Sequence, residues 1–100
     1  MKFKRILLKI SGEGLCRPGG FGLDADEIER LAREISRVHE ARAQVAVVVG
    51  GGNLLRGATA ARDARLPEAT AHYMGMLATV INALALQEAI ESFGVETRVM

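Results

Sequence analysis

The chain has 100 residues, a formal net charge of +1 and a hydrophobic fraction of 49%. This length fits one small domain, and the hydrophobic fraction argues against disorder. The balanced charge gives no electrostatic argument for binding nucleic acid or an anionic membrane. No apolar run reaches the roughly 20 residues of a bilayer span, and the single cysteine, Cys16, cannot form an intrachain disulfide. We therefore expect a cytoplasmic protein without nucleic-acid or membrane partners.

The first half of the chain predicts a strand, a loop and an amphipathic helix. Phe3 to Ile10 is apolar and short enough for a strand, and Arg17 to Gly22 is a glycine-rich loop. Asp24 followed by Glu27 resembles a capping box and predicts the start of a helix. Apolar residues then recur at helical spacing from Ile28 to Val38. We expect this apolar stripe to cover one face of a sheet.

The second half begins with a β-branched run, Val45 to Val49, which is typical of a strand buried on both faces of a parallel sheet. The further predicted elements are a short helix at Leu54 to about Ala61, a long helix at Ala69 to Phe93 that is apolar nearly all round, and a strand at Val95 to Met100. The order β-α-β-α-α-β predicts an α/β fold with a mainly parallel sheet. The sequence stops inside the last strand pattern, which favours truncation over a natural terminal strand.

The turn after the second predicted strand is the stronger of two candidate phosphate sites. Gly50, Gly51 and Gly52 allow the backbone to approach a ligand closely, and a following helix offers free N–H groups to an anion. Arg56 lies about one turn into that helix, where its guanidinium can grip phosphate oxygens in pairs. The pattern is neither a Walker loop nor a G-x-G-x-x-G fingerprint. A tight turn with a solvated arginine is the alternative interpretation.

The turn after the first predicted strand is the second candidate. Lys9 stands near the end of that strand, close to Gly12. The lysine can neutralise charge on a transferring phosphoryl group, and the glycine N–H can bind phosphate oxygens. A lysine on a strand end without a function is the alternative. Because ligands bind at the carboxyl edge of open α/β sheets, we expect both turns to open at the same edge.

A polar and small-residue stripe runs along the long helix. It consists of His72, Gly75, Thr79 and Asn82, at spacings that place them on one face. The stripe could face either a ligand cleft or another helix. His72 alone predicts no metal site, because no Cys–His spacing supports a ligand set. Cys16 has no paired base nearby in sequence, so we expect no catalytic role for it.

Four segments together resemble the uridylate kinase branch of the amino-acid kinase family. They are KRILLKISGE at Lys4 to Glu13, GFGLD at Gly20 to Asp24, VVVGGGNLLRG at Val47 to Gly57 and MGMLATVINALAL at Met74 to Leu86. The resemblance covers essentially the whole chain. It implies a three-layer sandwich around a mainly parallel sheet, of which residues 1–100 would be the N-terminal, UMP-binding portion.

The resemblance also implies a reaction and its residues. The family branch transfers the γ-phosphoryl group of ATP to UMP, giving UDP, with Mg²⁺, in pyrimidine nucleotide biosynthesis. By position, the implied residues are Lys9 as the catalytic lysine, Lys9, Ser11 and Gly12 for ATP, and Gly51, Gly52, Arg56 and His72 for UMP. His72 departs from the pattern, because many members have an acidic residue there that binds the ribose of UMP.

The family is usually hexameric, and some members bind GTP as an effector. Arg98 matches an arginine of that allosteric site, whereas Gln87 replaces a residue that is often arginine. The later half of family members supplies most of the ATP site, so we expect the 100-residue chain alone to be inactive. Two alternatives stay open: a non-catalytic nucleotide-binding or assembly module, and a related kinase of aspartate, glutamate or carbamate.

Overall fold

The structure is a computed structural model that describes residues 4–54 and 65–100. Its elements in chain order are β1 at Arg5–Ile10, a 3₁₀ helix at Gly12–Leu15, α1 at Ala25–Glu40, β2 at Gln44–Val49 and α2 at Glu68–Glu91. The two strands pair in parallel, with Arg5 opposite Gln44 and Ile10 opposite Val49. The predicted α/β class with a parallel sheet is therefore confirmed. The predicted short helix falls almost entirely on residues 55–64, which lie outside the described residues.

Helix α1 begins where the sequence predicts, but only half of the predicted capping box forms. The Asp24 carboxylate accepts the backbone N–H groups of Asp26 at 3.0 Å and Glu27 at 3.1 Å. The Glu27 carboxylate does not complete the box, because it pairs with Arg30 at 2.8 Å. The backbone N–H of Asp24 donates instead to the carbonyl of Leu15 at 2.9 Å. The cap thus also ties α1 to the 3₁₀ helix.

The Asp24 cap predicts a specific acid sensitivity. The backbone N–H of Glu27 and the Arg17 guanidinium lower the pKa of Asp24 below its ordinary value of 3.8. A lowered pKa stabilises the fold above pH 3.8, and that stabilisation is lost as the pH falls through the folded-state pKa. Asp24→Asn keeps a capping oxygen, so its melting temperature should approach the wild-type value at pH 7 and lose less on acidification.

Thermal melts of wild type, Asp24→Asn and Asp24→Ala, followed by circular dichroism at pH 7 and pH 3, check this prediction. Asp24→Ala should melt at a lower temperature at pH 7, because two N–H groups of the first turn lose their acceptor. An asparagine variant that loses as much stability as wild type between the two pH values would contradict it.

Both helices pack against the same face of the sheet. The core joins Ala32 and Ile35 of α1 to Leu86 and Ile90 of α2, and the strand residues against it are Leu8, Ile10, Val45 and Val47. The opposite face is open among the described residues, with Leu7 69% and Val48 54% exposed. The prediction that β2 is buried on both faces is therefore wrong for the described part of the chain. A run of valines satisfies that pattern whether or not a second layer is present.

Helix α2 has 24 residues and one buried stripe, made of Ala71, Ala78, Asn82, Leu86 and Ile90. Large apolar residues on its other faces, such as Tyr73, Met76 and Leu77, are exposed. The prediction that this helix is buried on several sides is not met by the described residues. By length and composition alone, α2 is apolar enough to cross a membrane. The argument that no apolar run is long enough for a bilayer span therefore does not hold for this helix. Its buried stripe packs in the manner of a helix in a globular fold.

The last six residues do not form the predicted strand. No described strand pairs with residues 95–100. The backbone N–H of Val99 donates to the side-chain oxygen of Gln87 at 3.1 Å. A cavity of about 660 Å³ is lined by β2, α2 and this segment. The described segment forms no β-ladder with β2, and the Gln87 side chain of α2 accepts one of its backbone N–H groups.

Candidate functional site

The two glycine turns lie side by side at the carboxyl edge of the sheet. The parallel register places Ile10 opposite Val49, the last residue of each strand. The pairing continues one step further, because the backbone N–H of Gly50 donates to the carbonyl of Ile10 at 3.0 Å. The expectation that both turns open at one edge is confirmed.

Gly12 brings the first turn into direct contact with the second. A Cβ atom built on Gly12 would lie 2.7 Å from the backbone nitrogen of Gly52, 2.7 Å from Oδ1 of Asn53 and 2.8 Å from the carbonyl oxygen of Gly50. Real Cβ atoms essentially never approach other atoms this closely. Only a hydrogen atom fits at this position, so the two turns form one backbone-lined surface.

The remaining predicted residues of the first turn differ in exposure and bonding. Lys9 is exposed on β1 opposite Val48, on the sheet face that α1 and α2 leave open. Ser11 caps the 3₁₀ helix, and its hydroxyl oxygen accepts the backbone N–H of Glu13 at 3.3 Å. The turn therefore offers an exposed cation beside a glycine backbone that is held by local hydrogen bonds.

Gly51 seats the second turn on helix α2. A Cβ atom on Gly51 would lie 2.9 Å from Cβ of Ala78 and 3.2 Å from both the carbonyl oxygen of Gly75 and the backbone nitrogen of Thr79. Ala78 and the backbone of Gly75 and Thr79 thus lie against the second glycine turn. That the stripe faces a ligand cleft or another helix stays a prediction.

Asn82 and Asn53 form a buried amide pair behind the turns. Nδ2 of Asn82 donates to the carbonyl oxygen of Gly50 and to Oδ1 of Asn53, each at 2.7 Å. Nδ2 of Asn53 donates to Oδ1 of Asn82 at 3.2 Å and to the carbonyl oxygen of Gly22 at 2.8 Å. The backbone N–H of Gly22 returns a bond to the carbonyl of Asn53 at 2.8 Å. One pair thereby connects α2, the second turn and the loop before α1.

The sequence alone did not predict the pair, because Asn53 only follows the three glycines and Asn82 is one member of a stripe. Both residues are almost completely buried, at 2% and 0% exposure. A buried amide needs hydrogen-bond partners. An asparagine inside an otherwise apolar helix is therefore the signal that could have pointed to a polar partner across the core.

Two further predicted site residues are exposed, and a third lies outside the described residues. His72 is exposed, one helical turn before Gly75, and its Nε2 lies 3.5 Å from Oε1 of Glu68. Arg98 is exposed and forms an ion pair with Glu96 at 2.9 Å. Arg56 lies outside the described residues. The turns thus bring Gly12, Gly51 and Gly52 together, while the roles of these three residues stay predictions.

The described part of the chain gives no Mg²⁺ ligand set. Within residues 4–54 and 65–100, no group of three or more His, Cys, Asp or Glu side chains could hold a metal ion. Mg²⁺ prefers carboxylate and phosphate oxygens. We therefore assign no residue of this chain to the metal and derive no chemical step through it.

Comparison with known sequences identifies relatives that agree with the resemblance seen in the sequence. A sequence profile of the amino acid kinase family matches residues 4–100. The chain is 53% identical over 98 residues to a uridylate kinase of Paramagnetospirillum magneticum, covering 98% of this chain and 40% of that protein. It is 50% identical over 99 residues to a uridylate kinase of Limosilactobacillus reuteri, covering 99% of this chain and 41% of that protein. The resemblance inferred from the sequence segments is confirmed.

Solved structures give the same result for the fold. The UMP kinase of Ureaplasma parvum superimposes with a TM-score of 0.82 at 37% identity, over 97% of this chain and 42% of that one. The UMP kinase of Bacillus anthracis gives 0.81 at 33% identity, over 90% of this chain and 36% of that one. The chain spans about two fifths of the length of the curated relatives that it matches.

Proposed function

The chain belongs to the amino acid kinase family, and from that membership we propose that it carries the UMP-binding portion of a uridylate kinase. The reaction proposed for the intact protein is transfer of the γ-phosphoryl group of ATP to UMP, giving UDP, as a step of pyrimidine nucleotide biosynthesis. The observation that carries the proposal is the contact between the two glycine turns at Gly12. That contact brings the backbones of the two candidate phosphate turns together at the ligand-binding edge of the sheet.

The proposed residue roles come from the resemblance to uridylate kinases and agree with the chemistry of phosphoryl transfer. This reaction depends mainly on positioning and charge neutralisation, so backbone N–H groups and cations suffice. Lys9 would neutralise charge on the transferring phosphoryl group, with Ser11 and Gly12 beside the ATP phosphates. Gly51 and Gly52 would hold the UMP phosphate through their backbone. Mg²⁺ bound with ATP would add further charge neutralisation.

Arg56 and His72 complete the proposed UMP site, the first as a phosphate ligand and the second as a hydrogen-bond partner of the ribose. A histidine both donates and accepts hydrogen bonds, so it can replace a carboxylate without reproducing its charge. Arg98 is proposed to belong to a GTP effector site. Assembly as a homohexamer and a cytoplasmic location complete the proposal.

The test compares the intact protein with residues 1–100 alone, with UDP formation from UMP and MgATP followed by ³¹P NMR. We expect the intact protein to form UDP and the isolated 100 residues to form none. UDP formation by the isolated residues would contradict the proposal that they are only one portion of the enzyme. UMP binding to the intact protein without transfer favours the non-catalytic module. Phosphorylation of carbamate, aspartate or glutamate instead of UMP indicates a related kinase.

Lys9→Met should lower the kcat of the intact protein by about 100-fold or more, because the developing charge loses its cation. Lys4→Met is the matched control, since Lys4 directly precedes the same strand and its backbone carbonyl accepts the Gln44 N–H at 2.8 Å. The control should keep wild-type kcat. Equal losses in both variants would remove Lys9 from the proposed mechanism.

A further inference from the structure

We propose that the amide pair of Asn53 and Asn82 is a positioning element that sets the two phosphate-binding turns relative to each other. The inference rests on the proposed function, because it concerns how the same site is held. Neither asparagine is proposed to touch a substrate. Both act through the backbone of the turns.

The hydrogen bonds of the pair form a closed network. Both protons of each side-chain NH₂ group are used, and each side-chain oxygen accepts a bond from the other amide. No buried side-chain nitrogen or oxygen among the described residues is left without a partner. A fully satisfied buried network has one arrangement and resists small displacements. The Gly50 carbonyl is therefore held by a hydrogen bond from Asn82 as well as by its covalent neighbours.

The first turn depends on this network through Gly12. Oδ1 of Asn53 and the backbone of Gly50 and Gly52 surround the Gly12 Cα so closely that no side chain fits. A displaced Asn53 or Gly50 must therefore push against Gly12 or leave a gap beside it. The geometry of the first turn, proposed to hold ATP, and that of the second turn, proposed to hold UMP, thus depend on the same two amides.

The bonds between the two amides would not by themselves require asparagine at these positions. Replacing two buried hydrogen-bonding partners by apolar groups of similar shape can be nearly neutral for stability. An apolar pair gives no directional bond to the Gly50 carbonyl, however. The amide pair therefore contributes orientation of the turn, which matters for a reaction in which a misplacement of about 1 Å can cost about 100-fold in rate.

The experiment uses Asn82→Asp and Asn82→Ser in the intact protein. Asp keeps the size of the side chain but loses the donors to Gly50 and Asn53, while Ser removes the amide without adding a charge. Ser36→Ala is the matched control, because Ser36 is also buried and its hydroxyl donates to the carbonyl of Ala32 in its own helix at 2.8 Å. All variants are assayed with UMP and MgATP at a temperature at which circular dichroism shows them folded.

Both Asn82 variants should lose about 100-fold in kcat/KM for UMP, with a loss in kcat as well as a rise in KM. The Ser36→Ala control should stay within about threefold. Should the Asp variant fail to fold, the Ser variant carries the test. Wild-type kcat in a folded Asn82 variant would overturn the proposal, as would an equal loss in the Ser36 control.

Amide ¹H–¹⁵N spectra supply a readout that is independent of activity. If the pair couples the turns, an Asn82 variant should shift the backbone amides of Gly12 as well as those of Gly50 and Gly52. A shift confined to Gly50 and Gly52 would overturn the coupling. These spectra remain informative if the wild-type protein forms no UDP, so failure of the proposed function and failure of this inference are distinguishable.

Discussion

Gly12→Ala should reduce UDP formation by the intact protein by about 100-fold or more. The new methyl group would meet the Gly52 nitrogen and the Gly50 carbonyl oxygen at 2.7 and 2.8 Å. Both are backbone atoms, which cannot rotate away as a side chain does. The turns must separate, and a shift of about 1 Å is enough to cost about 100-fold in a positioned reaction. Overpacking of this kind also costs about 1–3 kcal/mol of stability.

Gly14→Ala is the matched control for this substitution. Gly14 lies two residues further along the same 3₁₀ helix, and among the described atoms a Cβ there would meet only Cγ2 of Ile10, at an ordinary 3.8 Å. The control should retain most of the activity and nearly the wild-type melting temperature. Steady-state kinetics together with thermal melts separate the two variants. Equal activity of both would show that contact between the turns is not required for phosphoryl transfer.

Gly51→Ala should raise the KM for UMP about tenfold or more and also destabilise the fold. Its methyl group would lie 2.9 Å from Cβ of Ala78 and 3.2 Å from backbone atoms of α2. Since helix backbone cannot yield locally, the turn must move away from α2, and the N–H groups proposed to hold the UMP phosphate move with it. The activity loss should be smaller than for Gly12→Ala, because the contacts with backbone atoms are longer here.

Gly75→Ala is the control on the helix side of this contact. Among residues 4–54 and 65–100, no atom outside its own helix lies within 4 Å of a Cβ at Gly75, and alanine gains about 1 kcal/mol over glycine in a helix interior. This variant should melt at or above the wild-type temperature with unchanged kinetics. Adding Ala78→Gly to Gly51→Ala removes the 2.9 Å contact and should recover part of the UMP affinity. If the UMP affinity does not recover, the contact with Ala78 is not the cause of the loss.

Much of the fold could be predicted from local sequence patterns. Asp24 predicted the start of α1, and the β-branched run at Val45 to Val49 predicted a parallel strand. The adjacency of the two turns also followed, because parallel strands place their carboxyl ends at one edge. Each of these features depends on residues close in sequence or on a general rule of topology.

Other predictions were wrong because they depended on what packs where. The valines of β2 predicted burial on both faces, but the described helices cover only one. The apolar residues of α2 predicted burial on several sides, yet the described chain provides contacts for one stripe. Residues 95–100 alternate like a strand but pair with none in the described structure. An apolar pattern shows which side chains of a segment could be buried, and whether they are buried depends on the elements that pack against it.

The sequence by itself determined the strands, the capped helix and the two glycine turns, together with the resemblance to uridylate kinases. These features arise from backbone preferences and side-chain periodicity, which act over a few residues. Only the tertiary structure decided that Gly12 has no room for a methyl group and that Asn53 bonds to Asn82, 29 residues away. Such contacts depend on the distance between segments remote in sequence. The packing of α2 beneath the turns sets that distance, and no local pattern encodes it.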